Sequence, residues 1–135
     1  MSWDIFVHDF PEILDSVSDI PDDFQPPAIG SRSEVSAKLL EVFPDTDFTD
    51  PAWGVIDAED FSIEVSIGSD EPCTGFALHV RGSDDAVGAV AAILDHLQLR
   101  AIDMQTGEFF VAGVAAQESF AKWREYRDRT VGSGN

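Results

Sequence analysis

Apolar and polar positions along the chain follow two rhythms, one of period two and one of period three to four, and their order predicts the architecture. Trp3 to Phe10 alternates as a strand, with Trp3, Ile5 and Val7 on one side and Phe6 and Phe10 on the other, interleaved with Asp4 and His8. Large apolar groups on both sides predict a strand at least partly covered on each. Phe61 to Ile67 alternates without a fault, setting Phe61, Ile63, Val65 and Ile67 against Ser62, Glu64 and Ser66. Phe76, Leu78 and Val80 then alternate with Ala77, His79 and Arg81. With the short run Trp53 to Asp57 ahead of them, these segments predict a three-stranded antiparallel meander.

The helical rhythm appears three times. Ser31-Arg32-Ser33-Glu34 fits a capping box, in which the serine hydroxyl and the glutamate carboxylate each satisfy a backbone donor of the first turn. Val35, Leu39, Val42 and Phe43 follow at core-facing spacing until Pro44, after which Asp45 to Pro51 reads as an acidic loop. Ser83 is placed to cap a second helix with Asp84 and Asp85 in its first turn and a buried stripe of Val87, Val90, Ala91, Leu94 and Leu97. Ala101 to Met104 and Glu108 to Phe110 read as a strand broken or turned at Gln105-Thr106-Gly107. A last helix is expected over about 113–130, docked by Phe120 and Trp123 and carrying the exposed pairs Glu118–Lys122 and Glu125–Arg129.

Residues 11–30 hold four prolines and five acids with no period, which predicts an ordered loop pinned by Ile20, Phe24 and Ile29, either functional or covering part of a sheet face. The element order is β-α-β-β-β-α-β-α. It predicts one α+β domain over residues 1–135, built on a four- to five-stranded, mainly antiparallel sheet with helices packed mostly on one face.

Composition narrows the setting. At 135 residues and 44% hydrophobic, the chain can bury a core without a disulfide, and its single cysteine, Cys73, allows no internal one. No basic leader opens it and no apolar run approaches the roughly 20 residues that cross a bilayer, so a cytoplasmic address is expected. Net charge is −18, against a magnitude of about 2–8 for an ordinary small domain. Such a field repels nucleic acid and anionic membrane. It is also lopsided: residues 1–72 hold 18 acids against two bases, Arg32 and Lys38, whereas residues 73–135 hold eight acids against six bases.

No nucleotide-binding glycine signature occurs. Asp45-Thr46-Asp47-Phe48-Thr49-Asp50 resembles the start of a calcium loop, but Asp50 stands where the sharp turn needs glycine and Ile56 where a bidentate glutamate belongs, so no metal is expected there. His8, His79, His96 and Cys73 lack transition-metal spacing, and no cofactor is implied. If the strands of Phe61 and Phe76 pair, Glu64, His79 and Arg81 share a sheet face, joined by His8 if the first strand lies alongside. Those groups suit acid–base work, but no nucleophile or metal accompanies them, and cross-strand charge pairing on a wet face, which requires no reaction, is the favoured account.

The acids invite a different chemistry. Asp22 and Asp23 flank Phe24, while Asp45, Asp47, Asp50, Asp57, Glu59 and Asp60 surround Trp53. Carboxylates around aromatic anchors suit capture of a cationic protein, charge steering the encounter and rings supplying contact energy.

The segments Met1-Ser2-Trp3-Asp4-Ile5-Phe6-Val7, Asp19-Ile20-Pro21-Asp22-Asp23-Phe24, Asp50-Pro51-Ala52-Trp53-Gly54 and His79-Val80-Arg81-Gly82 together resemble a family of small uncharacterised bacterial proteins. That resemblance implies a bacterial origin and no particular activity. In size, acidity and lack of catalytic motifs the chain is also similar to immunity proteins that neutralise bacterial toxins. The expectation is therefore a non-enzymatic binder of a basic protein. The alternatives are a small enzyme or ligand-binding domain using Glu64, His79 and Arg81, and a homo-oligomeric structural protein.

Overall fold

The alternating segments do become strands, but seven of them. A computed structural model describes residues 2–133, with the side chains at 114, 115 and 126–133 outside the description. The strands are β1 (Trp3–His8), β2 (Asp47–Asp50), β3 (Trp53–Asp57), β4 (Phe61–Ser66), β5 (Gly75–Gly82), β6 (Arg100–Asp103) and β7 (Glu108–Phe109). The helices are α1 (Arg32–Val42), α2 (Asp85–Leu97) and α3 (Val114–Ser133), with a 3-10 turn at Val17–Asp19. All pairings are antiparallel, in the order β2-β3-β4-β5-β1-β6-β7.

Two differences account for the extra strands. The acidic loop expected over 45–51 contains β2, an edge strand paired with β3. Its Phe48 ring lies against Gly54, where an added Cβ would fall 2.5 Å from the ring. Packing thus makes a strand of a segment whose aspartates disfavour one. The segment expected to be broken or turned at Gln105-Thr106-Gly107 turns there, so that it counts as two paired strands, β6 and β7.

Residues Trp3, Ile5 and Val7 of β1, Ile63 and Val65 of β4, and Phe76, Leu78 and Val80 of β5 point to one side of the sheet. They join one core with Val35 and Leu39 of α1, Val87, Val90 and Ile93 of α2, and Phe120 and Trp123 of α3. Burying that single side brings all three helices onto it. The box at Ser31 and Glu34 forms as expected. At α2 the cap is Asp84 rather than Ser83, without a side-chain hydrogen bond; Ser83 stays outside because its N–H is drawn to the Asp60 carbonyl. Glu118 and Lys122 form no ion pair among the described residues, and the expected Glu125–Arg129 pair lies outside them.

Helix α3 is fastened by a buried carboxylate. Asp103 accepts from Trp3 Nε1 at 2.9 Å, from Ser119 Oγ at 2.5 Å and from the Gln105 N–H at 2.8 Å. Loop 11–30 is ordered by its own capping box at Ser16 and by Glu108, which accepts from Ser16 Oγ and the Val17 N–H. Those two donors hold the Glu108 carboxyl below the usual range. Arg100 lies over the Phe109 ring and donates to the Pro11 and Leu14 carbonyls, so this loop caps the β6–β7 corner. Among the described residues no helix is long and apolar enough to cross a membrane.

Candidate functional site

With the three helices on one side, the other side of the sheet is open among the described residues except at the corner that loop 11–30 caps. Register fixes what it displays, because residues opposite each other in an antiparallel pair share a face. One row across it reads Trp53, Ser66, Ala77, Phe6, Ile102 and Phe109. The adjacent row reads Val55, Glu64, His79 and Asp4, and a third begins Asp57, Ser62, Arg81.

The edge strand adds acid to both of the first two rows. Asp47 lies opposite Val55 and Asp50 opposite Trp53, so three residue steps on β2 span two on β3. That one-residue irregularity matters: in a regular strand, residues three apart face opposite ways, whereas here both aspartates project on the open face beside Trp53. Each is set by a local hydrogen bond, Asp47 Oδ1 accepting from Thr49 Oγ1 and N–H and Asp50 Oδ1 from the Ala52 N–H. The Thr49 hydroxyl, followed by its N–H, holds the Asp47 carboxyl below the ordinary value, so this group keeps its charge in mild acid.

Glu64, His79 and Arg81 share this face as expected. Arg81 pairs with Glu64 at 2.7 Å, and His79 Nδ1 lies 2.8 Å from Asp4 Oδ1 with its ring stacked on Trp53 at 5.7 Å. His8 does not join them. It faces the same way, but its Nδ1 lies 2.8 Å from the Thr74 carbonyl, at the far end of β1. Asp4 takes the place expected of His8. Its signal was present in the β1 alternation, but using it required knowing that β1 inserts beside β5.

These groups form two cross-strand pairs rather than a relay converging on a void. None of the three lines any of five clefts on the surface of the described residues. One cleft, about 280 Å³, lies instead beside the C-terminal end of α2 between Phe10, Leu94, Leu99 and Phe110. Cys73 is buried, and burial pushes its thiol up, away from the reactive thiolate. Among the described residues no three His, Cys, Asp or Glu side chains converge as a metal ion requires.

The acidic set divides in space. Asp45, Asp47, Asp50, Asp57, Glu59 and Asp60, all exposed, gather with Trp53 along β2, β3 and the β3–β4 turn. Asp22, Asp23 and Phe24 belong to the opposite corner, since Phe24 stacks on Phe10 and Phe10 meets Phe109 of β7 edge-on. Six strand spacings separate β2 from β7, about 29 Å, or more than three Debye lengths at physiological salt. The two groups therefore act as separate fields. Residues 39–80 contain ten acids and no lysine or arginine, while the helix layer mixes Lys38, Lys122 and Arg124 with Glu41, Asp84, Asp95 and Glu118. No protein-family model, curated protein or solved structure matches this chain.

Proposed function

We propose that this chain is a non-enzymatic bacterial binding protein that captures a basic protein through the β2–β3 corner, acting in the cytoplasm as an inhibitor or immunity protein does. One observation carries this reading: Asp47 and Asp50 flank the exposed Trp53 on a helix-free face, within a stretch that holds no base. Carboxylates closer together than the Debye length of about 8 Å add their potentials, which speeds encounter with a cation-bearing surface. Asp22, Asp23 and Phe24 lie outside that range and are not part of the proposed surface.

The test uses fluorescein-labelled decalysine as the cationic probe and two quadruple variants of equal charge. Neutralising Asp47, Asp50, Asp57 and Glu59 to their amides lowers affinity about tenfold or more, since each lysine–carboxylate contact at a surface contributes up to about 1 kcal/mol. Neutralising Glu12, Asp15, Asp22 and Asp23 changes it less than about twofold by the same reasoning. Equal losses from both variants, or binding indifferent to salt, refute the proposal.

A further inference from the structure

The open face shows more apolar surface than charge capture needs. Phe6 is 39% exposed, Trp53 37% and Met104 48%. They are not scattered. Trp53 and Phe6 stand in one row with only Ser66 and Ala77 between them and Ile102 beyond, and Met104 continues from β6, its N–H donating to the Asp4 carbonyl. Trp53, its ring stacked on His79, and Phe6 stand on either side of the small Ser66 and Ala77, and a grouping of exposed apolar side chains of this kind on a sheet face marks an interaction surface rather than ordinary exposure.

The charges around the band select its occupant. Asp47, Asp50, Asp57, Asp4 and Glu64 frame it, and Arg81 on the same face is paired with Glu64. A second copy would bring one acidic frame against another, each on a chain of net charge −18, which like-charge repulsion opposes. A partner with an apolar centre ringed by lysine or arginine meets both features at once.

We infer that the helix-free face seats the apolar anchor of a basic amphipathic protein segment, with Trp53 and Phe6 as its walls. This inference rests on the capture reading and deepens it. It states that the partner is recognised by buried apolar contact as well as by charge.

Two dye-labelled peptides of equal length and charge separate the two claims, one an amphipathic leucine–lysine helix and the other a serine–lysine sequence. The intact protein binds the leucine peptide about tenfold or more tightly than the serine peptide, the effect of burying one or two leucine side chains. Phe6→Ser and, independently, Met104→Ser narrow that preference and leave serine-peptide affinity unchanged, with circular dichroism confirming the fold of each. Equal affinity of the wild type for both peptides overturns the apolar seat while leaving charge capture standing, whereas binding of neither peptide removes both readings. A preference that survives both substitutions locates the contact elsewhere and overturns the inference. So does a sedimentation-equilibrium dimer that Phe6→Ser dissolves, because the face would then belong to a second copy.

Discussion

Replacing Asp103 by alanine tests the fastening of α3 most directly. The side chain is 3% exposed and accepts three hydrogen bonds, of which two come from buried donors, Trp3 Nε1–H and the Ser119 hydroxyl. The third donor, the Gln105 N–H, sits in a surface turn where water can replace the carboxylate. Leaving a buried donor unsatisfied costs about 1–3 kcal/mol, so two of them give about 2–6 kcal/mol. Loss of one negative charge from a strongly anionic chain offsets this by less than about 1 kcal/mol. The net, about 1–6 kcal/mol, is a large share of the 5–15 kcal/mol that holds such a domain folded. With a urea slope of about 1–3 kcal/mol per molar, the midpoint falls by about 1–3 M, followed by fluorescence of the buried Trp3 and Trp123. Asp103→Asn keeps an acceptor for Trp3 and Gln105 and presents an amide N–H to the Ser119 oxygen, so its cost stays near 1 kcal/mol. Ser119→Ala in the Asp103→Ala background recovers about 1–3 kcal/mol of that loss, because it removes the buried donor the first substitution left unsatisfied. An alanine variant within about 0.5 kcal/mol of wild type refutes this account of how α3 is held.

Gly54→Ala drives a methyl into the Phe48 ring, now 2.5 Å from that position, and costs about 1–3 kcal/mol by overpacking; hydrogen exchange in β2 rises well before exchange in β5, and uniform destabilisation across the sheet contradicts the local account. Trp53 alone among the tryptophans is accessible, at 37% against 1% for Trp3 and 3% for Trp123. Caesium therefore quenches its emission more efficiently than iodide at low salt, the gap closes as salt is raised, and equal quenching by the two ions denies the negative field. Glu108 has its folded pKa depressed by the Ser16 hydroxyl and the Val17 N–H. Its contribution to holding loop 11–30 is accordingly complete above the ordinary glutamate value of about 4.3 and is lost as pH falls through the lower folded value. The Val17 amide resonance titrates with a midpoint below that of a free glutamate and stops titrating in Glu108→Gln; a midpoint at or above the free value counts against the tether.

What could be read from the sequence was what neighbouring residues decide among themselves. The α1 box needs only Ser31 and Glu34, and the β4–β5 face needs only two alternating runs and a turn, so both emerged with the right partners. Strand β2 was hidden because Asp47-Phe48-Thr49-Asp50 has the composition of a solvated turn, and what makes it a strand is the space that Gly54 leaves for Phe48. The site was legible in residue type and not in assembly. Glu64, His79 and Arg81 were placed together correctly, but Asp4 could not be put beside His79 without the β5-β1-β6 order, and the separation of Asp22 and Asp23 from Asp50 depends on strands that local alternation does not order.

The position of β1 has a bearing on how the molecule is made. It lies at the heart of the sheet between β5 and β6, Trp3 opposite Val80 and Ile5 opposite Asp103, so both of its neighbours are synthesised long after it. A nascent chain must carry this apolar strand unpaired until nearly the last hairpin has left the ribosome, and closing such distant contacts is intrinsically slow. Until Arg100 to Asp103 emerge, one backbone edge of β1 has nothing to bind. Assembly of this sheet is thus bound to be a late, concerted event rather than a progressive one.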